Sequence, residues 1–187
     1  MREISLHLLD IAENSVAAGA LNIRIEVHED IKNDILQASV EDDGRGMDTE
    51  TAKSVLDPFY TTRTTRKVGL GIPLLKLAAE QSQGGLGLVS EPGKGTRVEV
   101  TFRHSHIDRM PLGDLASTFL AVLVAYPHIH WIFNYRATQP DGQSNEFAFD
   151  DTELKAELGG LPMTEPEILS FVRRMLEEGI GAIKSIT

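Results

Sequence analysis

The run Asp42-Asp43-Gly44-Arg45-Gly46-Met47 is the most informative part of this chain, and it follows a strand predicted over Ile35–Val40. Its two glycines, one residue apart, let the backbone turn sharply and approach a ligand closely. The acid before them can accept a hydrogen bond from an exocyclic amine such as that of adenine. By itself the stretch also fits a plain Asp-Gly turn after a strand, so its neighbours decide between a turn and a binding loop.

The elements around this stretch alternate between helix and strand. Apolar residues recur at helical spacing over Leu6–Ala18 and alternate over Leu21–His28, which predicts a helix and then a strand with one buried face. The same periodicities predict two more helices and two more strands downstream, over Thr49–Val55, Leu70–Gln81, Leu86–Ser90 and Thr96–Phe102. This order predicts an α+β sandwich, a mixed sheet with helices on one face.

Asp10 and Asn14 are four residues apart on the first predicted helix, so their side chains lie on one face, one turn apart. A carboxamide oxygen there can ligate Mg²⁺, which prefers oxygen ligands. A carboxylate can orient or deprotonate an attacking water. Taken alone, such a pair is more often two solvated polar residues than a site.

Two further patterns flank the predicted helix over 70–81. Asp57-Pro58-Phe59-Tyr60-Thr61-Thr62-Arg63 carries hydroxyls and a cation that can meet phosphate oxygens, although a solvated loop has the same composition. Gly69-Leu70-Gly71 opens the helix, where free backbone N–H groups make an anion site. A lone Gly-x-Gly is weak evidence, so the weight lies in the order of the patterns.

In this order, the patterns resemble the ATP-binding domain of the GHKL superfamily, which includes DNA gyrase B, Hsp90, sensor histidine kinases and MutL-type repair proteins. The resemblance covers residues 5–103. The run from Asn14 to Ala20 is similar to the MutL branch. The runs 57–63, 69–72 and 90–96 are longer and more specific, and they are similar to the histidine-kinase branch. A stand-alone member with a C-terminal extension is expected.

The resemblance implies ATP and Mg²⁺ as cofactors, with Asn14 as the metal ligand and Asp10 at the position of the catalytic base. Asp10 is one methylene shorter than the glutamate that ATP-hydrolysing members carry, and Ala17 stands where histidine kinases often have a basic residue. Without that basic residue, the phosphate charge would be met by Arg63, Arg66 or Lys67. Both departures favour a protein that binds ATP without turnover.

The resemblance also implies an adenine pocket and a phosphate site. Asp42 would read the adenine amine, supported by Thr96 directly or through water, and Gly44 and Gly46 would shape the pocket. A short lid and phosphate contacts would come from Thr61, Thr62, Arg63, Gly69, Leu70 and Gly71.

Residues 104–187 carry no motif with a mechanism, and we predict a helix, a hairpin and two helices there, the last ending at Glu178. The domain boundary is placed between residues 103 and 104. Trp131, Phe133 and Tyr135 alternate on a predicted strand, which indicates core. Histidines recur two apart at 104/106 and at 128/130, a spacing that also suits metal ligation, although such histidines are more often simply polar.

Composition excludes several classes of function. The formal net charge is −10, from 18 basic and 28 acidic residues, which disfavours nucleic-acid and membrane partners. The absence of cysteine excludes disulfides and thiolate chemistry. The N-terminus has no long apolar h-region, so a signal peptide is not expected, and the longest apolar run, near Leu115 to Tyr126, is too short to span a bilayer. A cytoplasmic location is expected.

Two functions remain open from the sequence. The first is a Mg²⁺-dependent ATPase or protein kinase of the histidine-kinase type that acts on a partner protein, since no phosphoacceptor hairpin fits before Ser5. The second is a non-catalytic ATP sensor that controls a partner through residues 104–187. His7 is expected to neighbour the site rather than to accept phosphate.

Overall fold

A computed structural model describes residues 3–57 and 71–184. Within them the chain forms six helices and six strands. In chain order these are α1 (Ile4–Ala17), β1 (Asn22–Asp30), β2 (Ile35–Asp42), α2 (Thr49–Val55), α3 (Gly71–Gln81), β3 (Gly85–Glu91), β4 (Gly95–Arg103), α4 (Leu115–Ala125), β5 (His130–Thr138), β6 (Ser144–Asp150), α5 (Asp151–Leu158) and α6 (Pro166–Lys184).

All six strands belong to one mixed sheet in the order β3-β4-β2-β1-β5-β6. β1 and β5 run parallel, and the other neighbours are antiparallel. The parallel pair is possible because α4 lies between the first four strands and β5 in the chain, which gives the crossover its length. The predicted fold class, a mixed sheet with helices on one face, is confirmed.

The two faces of the sheet differ because side chains alternate along each strand. One face is apolar and buried under α1, α3, α4 and α6, with Ile25, Val40 and Val100 at its centre. The other face is polar and carries ion pairs such as Arg97–Glu41 at 2.7 Å. The core therefore lies on one side of the sheet, and the ends of its strands border the helices.

Residues 104–184 complete this core. Trp131, Phe133 and Tyr135 are fully buried, as predicted for a core strand. Phe119 of α4 stacks on Phe133 at a centroid distance of 4.7 Å, and α4 packs against α1. The hairpin β5–β6 extends the same sheet, whereas the boundary between residues 103 and 104 stays a prediction.

The last helix runs to Lys184, six residues beyond the predicted end. Gly179 and Gly181 argued against its continuation, but the apolar face persists through Ile180 and Ile183. A Cβ at Gly179 would lie 2.2 Å from the ring of Phe147, so this glycine lets α6 approach β6 closely. Among the described helices, none is long and apolar enough to cross a membrane.

Candidate nucleotide-binding site

Asp42 is the last residue of β2 and is buried on the helix-facing side of the sheet. One carboxylate oxygen accepts a hydrogen bond from the Ser15 hydroxyl at 2.6 Å, and the other accepts one from the Gly44 N–H at 2.9 Å. A carboxylate can accept about four hydrogen bonds. Asp42 is therefore fixed in orientation and keeps acceptor capacity for a ligand.

The neighbouring residue, Asp43, has a structural role. Its carboxylate accepts hydrogen bonds from the Leu21 N–H at 2.8 Å and from both the backbone and the side chain of Asn22 at 2.9 and 2.6 Å. Burial acts to raise the pKa of Asp43, but the hydrogen bonds from Asn22 and Leu21 outweigh it and hold the pKa below its usual value. Asp43 thus ties the loop to the start of β1.

Gly44 and Gly46 each allow the loop to lie close to another part of the chain. A Cβ at Gly44 would lie 3.0 Å from an Asp42 carboxylate oxygen and 3.1 Å from the Ala18 Cβ, so Gly44 borders the site directly. Gly46 has a φ of +63°, and a Cβ there would lie 2.0 Å from the Glu91 carbonyl oxygen. Gly46 is therefore needed for packing the loop on the β3–β4 hairpin, and its role in shaping an adenine pocket stays a prediction.

Ser90 and Thr96 lie where this hairpin meets the loop. Thr96 stands opposite Asp42 in the β2–β4 register, and its hydroxyl forms a 2.9 Å hydrogen bond with the Ser90 hydroxyl. Ser90 also accepts the Met47 N–H at 2.8 Å. Thr96 therefore lies next to Asp42 but bonds to Ser90, and support of Asp42 by Thr96 stays a prediction.

α1 carries three further polar residues that concern the site: His7, Asp10 and Asn14. Asn14 is exposed, and Asp10 is half-buried with one carboxylate oxygen that has no hydrogen-bond partner among the described residues. His7, one turn before Asp10, is buried, and its ring lies near the backbone of Gly71, the first residue of α3. Burial lowers the pKa of His7. Gly71 is thus placed one helical turn from Asp10 along α1.

Five predicted site residues lie outside the described part of the chain: Thr61, Thr62, Arg63, Gly69 and Leu70. Their roles in a lid and at the phosphates stay predictions.

Ser15 is the site residue that the sequence analysis missed. It lies on the apolar face of α1 with Leu8, Ile11 and Ala12, and it is buried. Its hydroxyl is shared between the Ile11 carbonyl at 3.2 Å and Asp42. A hydroxyl on the buried face of a helix was the available signal, since a buried polar group needs a partner.

Residues 1–106 match the model of a family described as histidine kinase-, DNA gyrase B-, and HSP90-like ATPase. The sensor protein kinase FleS of Pseudomonas aeruginosa is 42% identical over 89 residues, which cover 48% of this chain and 22% of FleS. The signal transduction histidine-protein kinase AtoS of Escherichia coli is 36% identical over 89 residues, covering 47% of this chain and 14% of AtoS.

A third relative, the non-motile and phage-resistance protein of Caulobacter vibrioides, is 32% identical over 117 residues, covering 58% of this chain and 14% of that protein. The chain thus spans 14% to 22% of the length of these relatives. Among solved structures, the Aquifex aeolicus MutL ATPase domain complexed with ADP matches with a TM-score of 0.51 at 14% identity, over 84% of this chain and 68% of that one. The structural likeness shows the fold alone.

Proposed function

The chain belongs to the family of histidine kinase-, DNA gyrase B- and HSP90-like ATPases and contains that family's ATP-binding domain, and we propose that it binds ATP with Mg²⁺ and slowly hydrolyses it or transfers its γ-phosphate to a partner protein. The partner would dock through residues 104–187. The proposal places the protein in the cytoplasm, where ATP is available.

The observation that carries this proposal is the Asp42 carboxylate. It is buried at the end of β2, and Ser15 and Gly44 hold it in one orientation. Its remaining lone pairs suit the amine of adenine, and they disfavour guanine, which presents a carbonyl oxygen at the same ring position. Glycine at position 44 keeps the space beside the carboxylate free of a side chain.

The residues of α1 fit the implied Mg²⁺. Asn14 offers an exposed carboxamide oxygen, and Asp10 offers a carboxylate oxygen without a hydrogen-bond partner among the described residues. Both are hard oxygen donors of the kind that Mg²⁺ prefers. Asn14 would hold the ion, which when bound offsets phosphate charge, and Asp10 would orient the attacking water.

Nucleotide titrations by calorimetry test the adenine site. With Mg²⁺ present, the chain should bind ATP at least about 100-fold more tightly than GTP, and Asp42→Asn should weaken ATP binding about 100-fold, since a hydrogen bond to a charged group contributes about 1.5–3 kcal/mol. Glu41→Gln is the matched control, because Glu41 lies one residue earlier on the polar face and pairs with Arg97. Equal ATP affinity in Asp42→Asn and Glu41→Gln would refute the assignment.

A second titration tests the metal site. Asn14→Ala should remove the dependence of ATP affinity on Mg²⁺, while Glu13→Ala on the same helix should leave it intact. Both residues are exposed, so neither change should affect folding. Unchanged Mg²⁺ dependence in Asn14→Ala would exclude Asn14 as the ligand.

The second candidate function is a non-catalytic ATP sensor, and the shortness of Asp10 favours it. Incubation with γ-labelled ATP and Mg²⁺ separates the two. Phosphate release that stops in Asp10→Asn, with ATP binding retained, supports the enzyme. Tight binding with no release, also in the presence of candidate partners, supports the sensor.

A further inference from the structure

A cluster of His130, Asp150 and Asp151 lies outside the nucleotide site, where three elements meet. His130 opens β5, Asp150 ends β6 and Asp151 begins α5. One ring nitrogen and two carboxylate oxygens of the three residues lie within 4.8 Å of one another. No step of the proposed function uses these residues.

Asn22 orients the ring of His130 through a contact with its Nδ1 atom. The Asn22 side-chain nitrogen donates to Asp43 at 2.6 Å, which leaves the carboxamide oxygen facing His130 Nδ1 at 2.9 Å. Nδ1 must therefore carry a proton and donate it to Asn22. In a neutral ring, Nε2 then has a lone pair and no proton, the arrangement typical of a metal-ligating histidine whose other nitrogen is held by an acceptor.

Three oxygen atoms lie within 4.0 Å of His130 Nε2. The Asp150 Oδ1 lies at 2.9 Å, the Thr152 hydroxyl at 3.1 Å and the Asp151 Oδ1 at 4.0 Å. Two acceptors 2.9 Å apart need a proton or a metal ion between them. A proton on Nε2 would reach Asp150 but would leave Asp151 Oδ1, at 4.0 Å, without a donor, whereas a metal ion can bind the nitrogen and both carboxylates at once.

Asp151 provides an independent indication of a ligand. Its side chain is fully buried, and its Oδ1 has no hydrogen-bond partner among the described residues. Its other oxygen forms an ion pair with Lys155 at 2.6 Å. Two carboxylates and one ammonium leave the cluster with a formal charge of −1, which favours a cation. A buried carboxylate oxygen without a donor is costly, and a metal ion would satisfy it.

We propose that His130, Asp150 and Asp151 form a binding site for a divalent transition-metal ion of the Zn²⁺ class. One imidazole nitrogen with two carboxylate oxygens suits such ions, whereas Mg²⁺ prefers oxygen alone. Two ligand atoms that each lie about 2.1 Å from an ion are at most about 4.2 Å apart. Metal binding therefore requires the side chains of the three residues, whose ligand atoms now lie within 4.8 Å of one another, to move by about 1 Å. The fourth position is open to water or to Thr152.

Zn²⁺ titration of the chelator-stripped, nucleotide-free full chain tests the site. Wild type should bind one Zn²⁺, and Co²⁺ should give a d–d absorption band at the same stoichiometry. Asp150→Asn and His130→Gln should each weaken Zn²⁺ binding at least about 30-fold. Asn at position 150 keeps an oxygen for the Thr152 N–H that Asp150 caps, so α5 should remain folded, which circular dichroism checks.

His128→Gln is the matched control, because His128 is exposed and two residues away, and it should bind Zn²⁺ as wild type does. Absence of Zn²⁺ binding, or binding that survives in Asp150→Asn and His130→Gln, overturns the proposal and leaves an imidazolium–carboxylate pair. ATP affinity measured on the same variants tests the nucleotide site separately, so either proposal can fail alone.

Discussion

Asp42 and Glu29 are two buried acids on the same face of the sheet, at opposite ends of the paired strands β1 and β2. Glu29 has both oxygens occupied, since the Tyr135 hydroxyl donates to one and the His104 ring lies 2.9 Å from the other. Burial and the bond to Glu29 raise the pKa of the Tyr135 hydroxyl. Asp42 is held instead by one helix residue and by its own loop.

A structural acid and a binding acid differ in where their hydrogen-bond partners come from. The partners of Glu29 come from β5 and from the segment after β4, so Glu29 joins distant parts of the chain. Asp42 also accepts one bond on each oxygen, but one of its partners is its own loop, and Gly44 keeps the space beside its carboxylate free of a side chain. We therefore expect Glu29 to matter for stability and Asp42 for affinity.

The largest effect should come from exchanging the two acids for alanine. Glu29→Ala leaves the buried Tyr135 hydroxyl without its acceptor and opens a cavity, and should lower the free energy of unfolding by about 3 kcal/mol or more. Asp42→Ala should cost far less stability but abolish measurable ATP binding. Urea unfolding and calorimetry on both variants check this, and the comparison fails if Asp42→Ala is the less stable of the two.

The next largest effect is expected from substituting two glycines where β3 connects to β4. Gly95 has a φ of +101°, and a Cβ there would lie 1.8 Å from the Asp42 carbonyl oxygen. Gly95→Ala should therefore separate β4 from the end of β2, with a loss of about 3 kcal/mol and of ATP binding. Gly93 has a φ of +77° and open space around it, so Gly93→Ala should cost only about 1 kcal/mol. Similar unfolding curves for the two variants would contradict this.

A smaller effect is expected for Ser15. Ser15→Ala removes the donor that orients Asp42 and should weaken ATP binding about tenfold, with a stability change of about 1 kcal/mol. Ser5 is the control, because it is buried on the same helix and its hydroxyl has no hydrogen-bond partner among the described residues. Calorimetry on Ser5→Ala should give wild-type affinity, and an equal loss in both variants would remove Ser15 from the site.

The smallest effect concerns pH. Burial lowers the pKa of His7, so its contribution to stability is present above about pH 6.5 and is lost as the pH falls through the folded-state pKa, by at most about 1.4 kcal/mol per pH unit. The pKa of His28 is lowered in the same way, chiefly by burial. Urea unfolding between pH 5 and 7.5 should show a shallower pH dependence in His7→Leu than in wild type. An unchanged slope would show that His7 titrates normally.

Most of the fold follows from local periodicity. The helix over Thr49–Val55 has the predicted bounds, and the four strands predicted between residues 21 and 102 lie within about two residues of prediction. The end of α6 was missed because glycine in a helix normally signals its end. Only the position of Phe147 shows why Gly179 is accommodated there.

The Asp42 loop, the Asp10/Asn14 pair and the family could be predicted from the amino-acid sequence, since each is a short pattern of residue types at fixed spacing. The contact of Ser15 with Asp42, the pairing of β5 with β1 and the approach of His130 to Asp150 and Asp151 could not. Those contacts join residues 20 or more positions apart, and they form only when the strands of the sheet are assembled, which no local preference specifies.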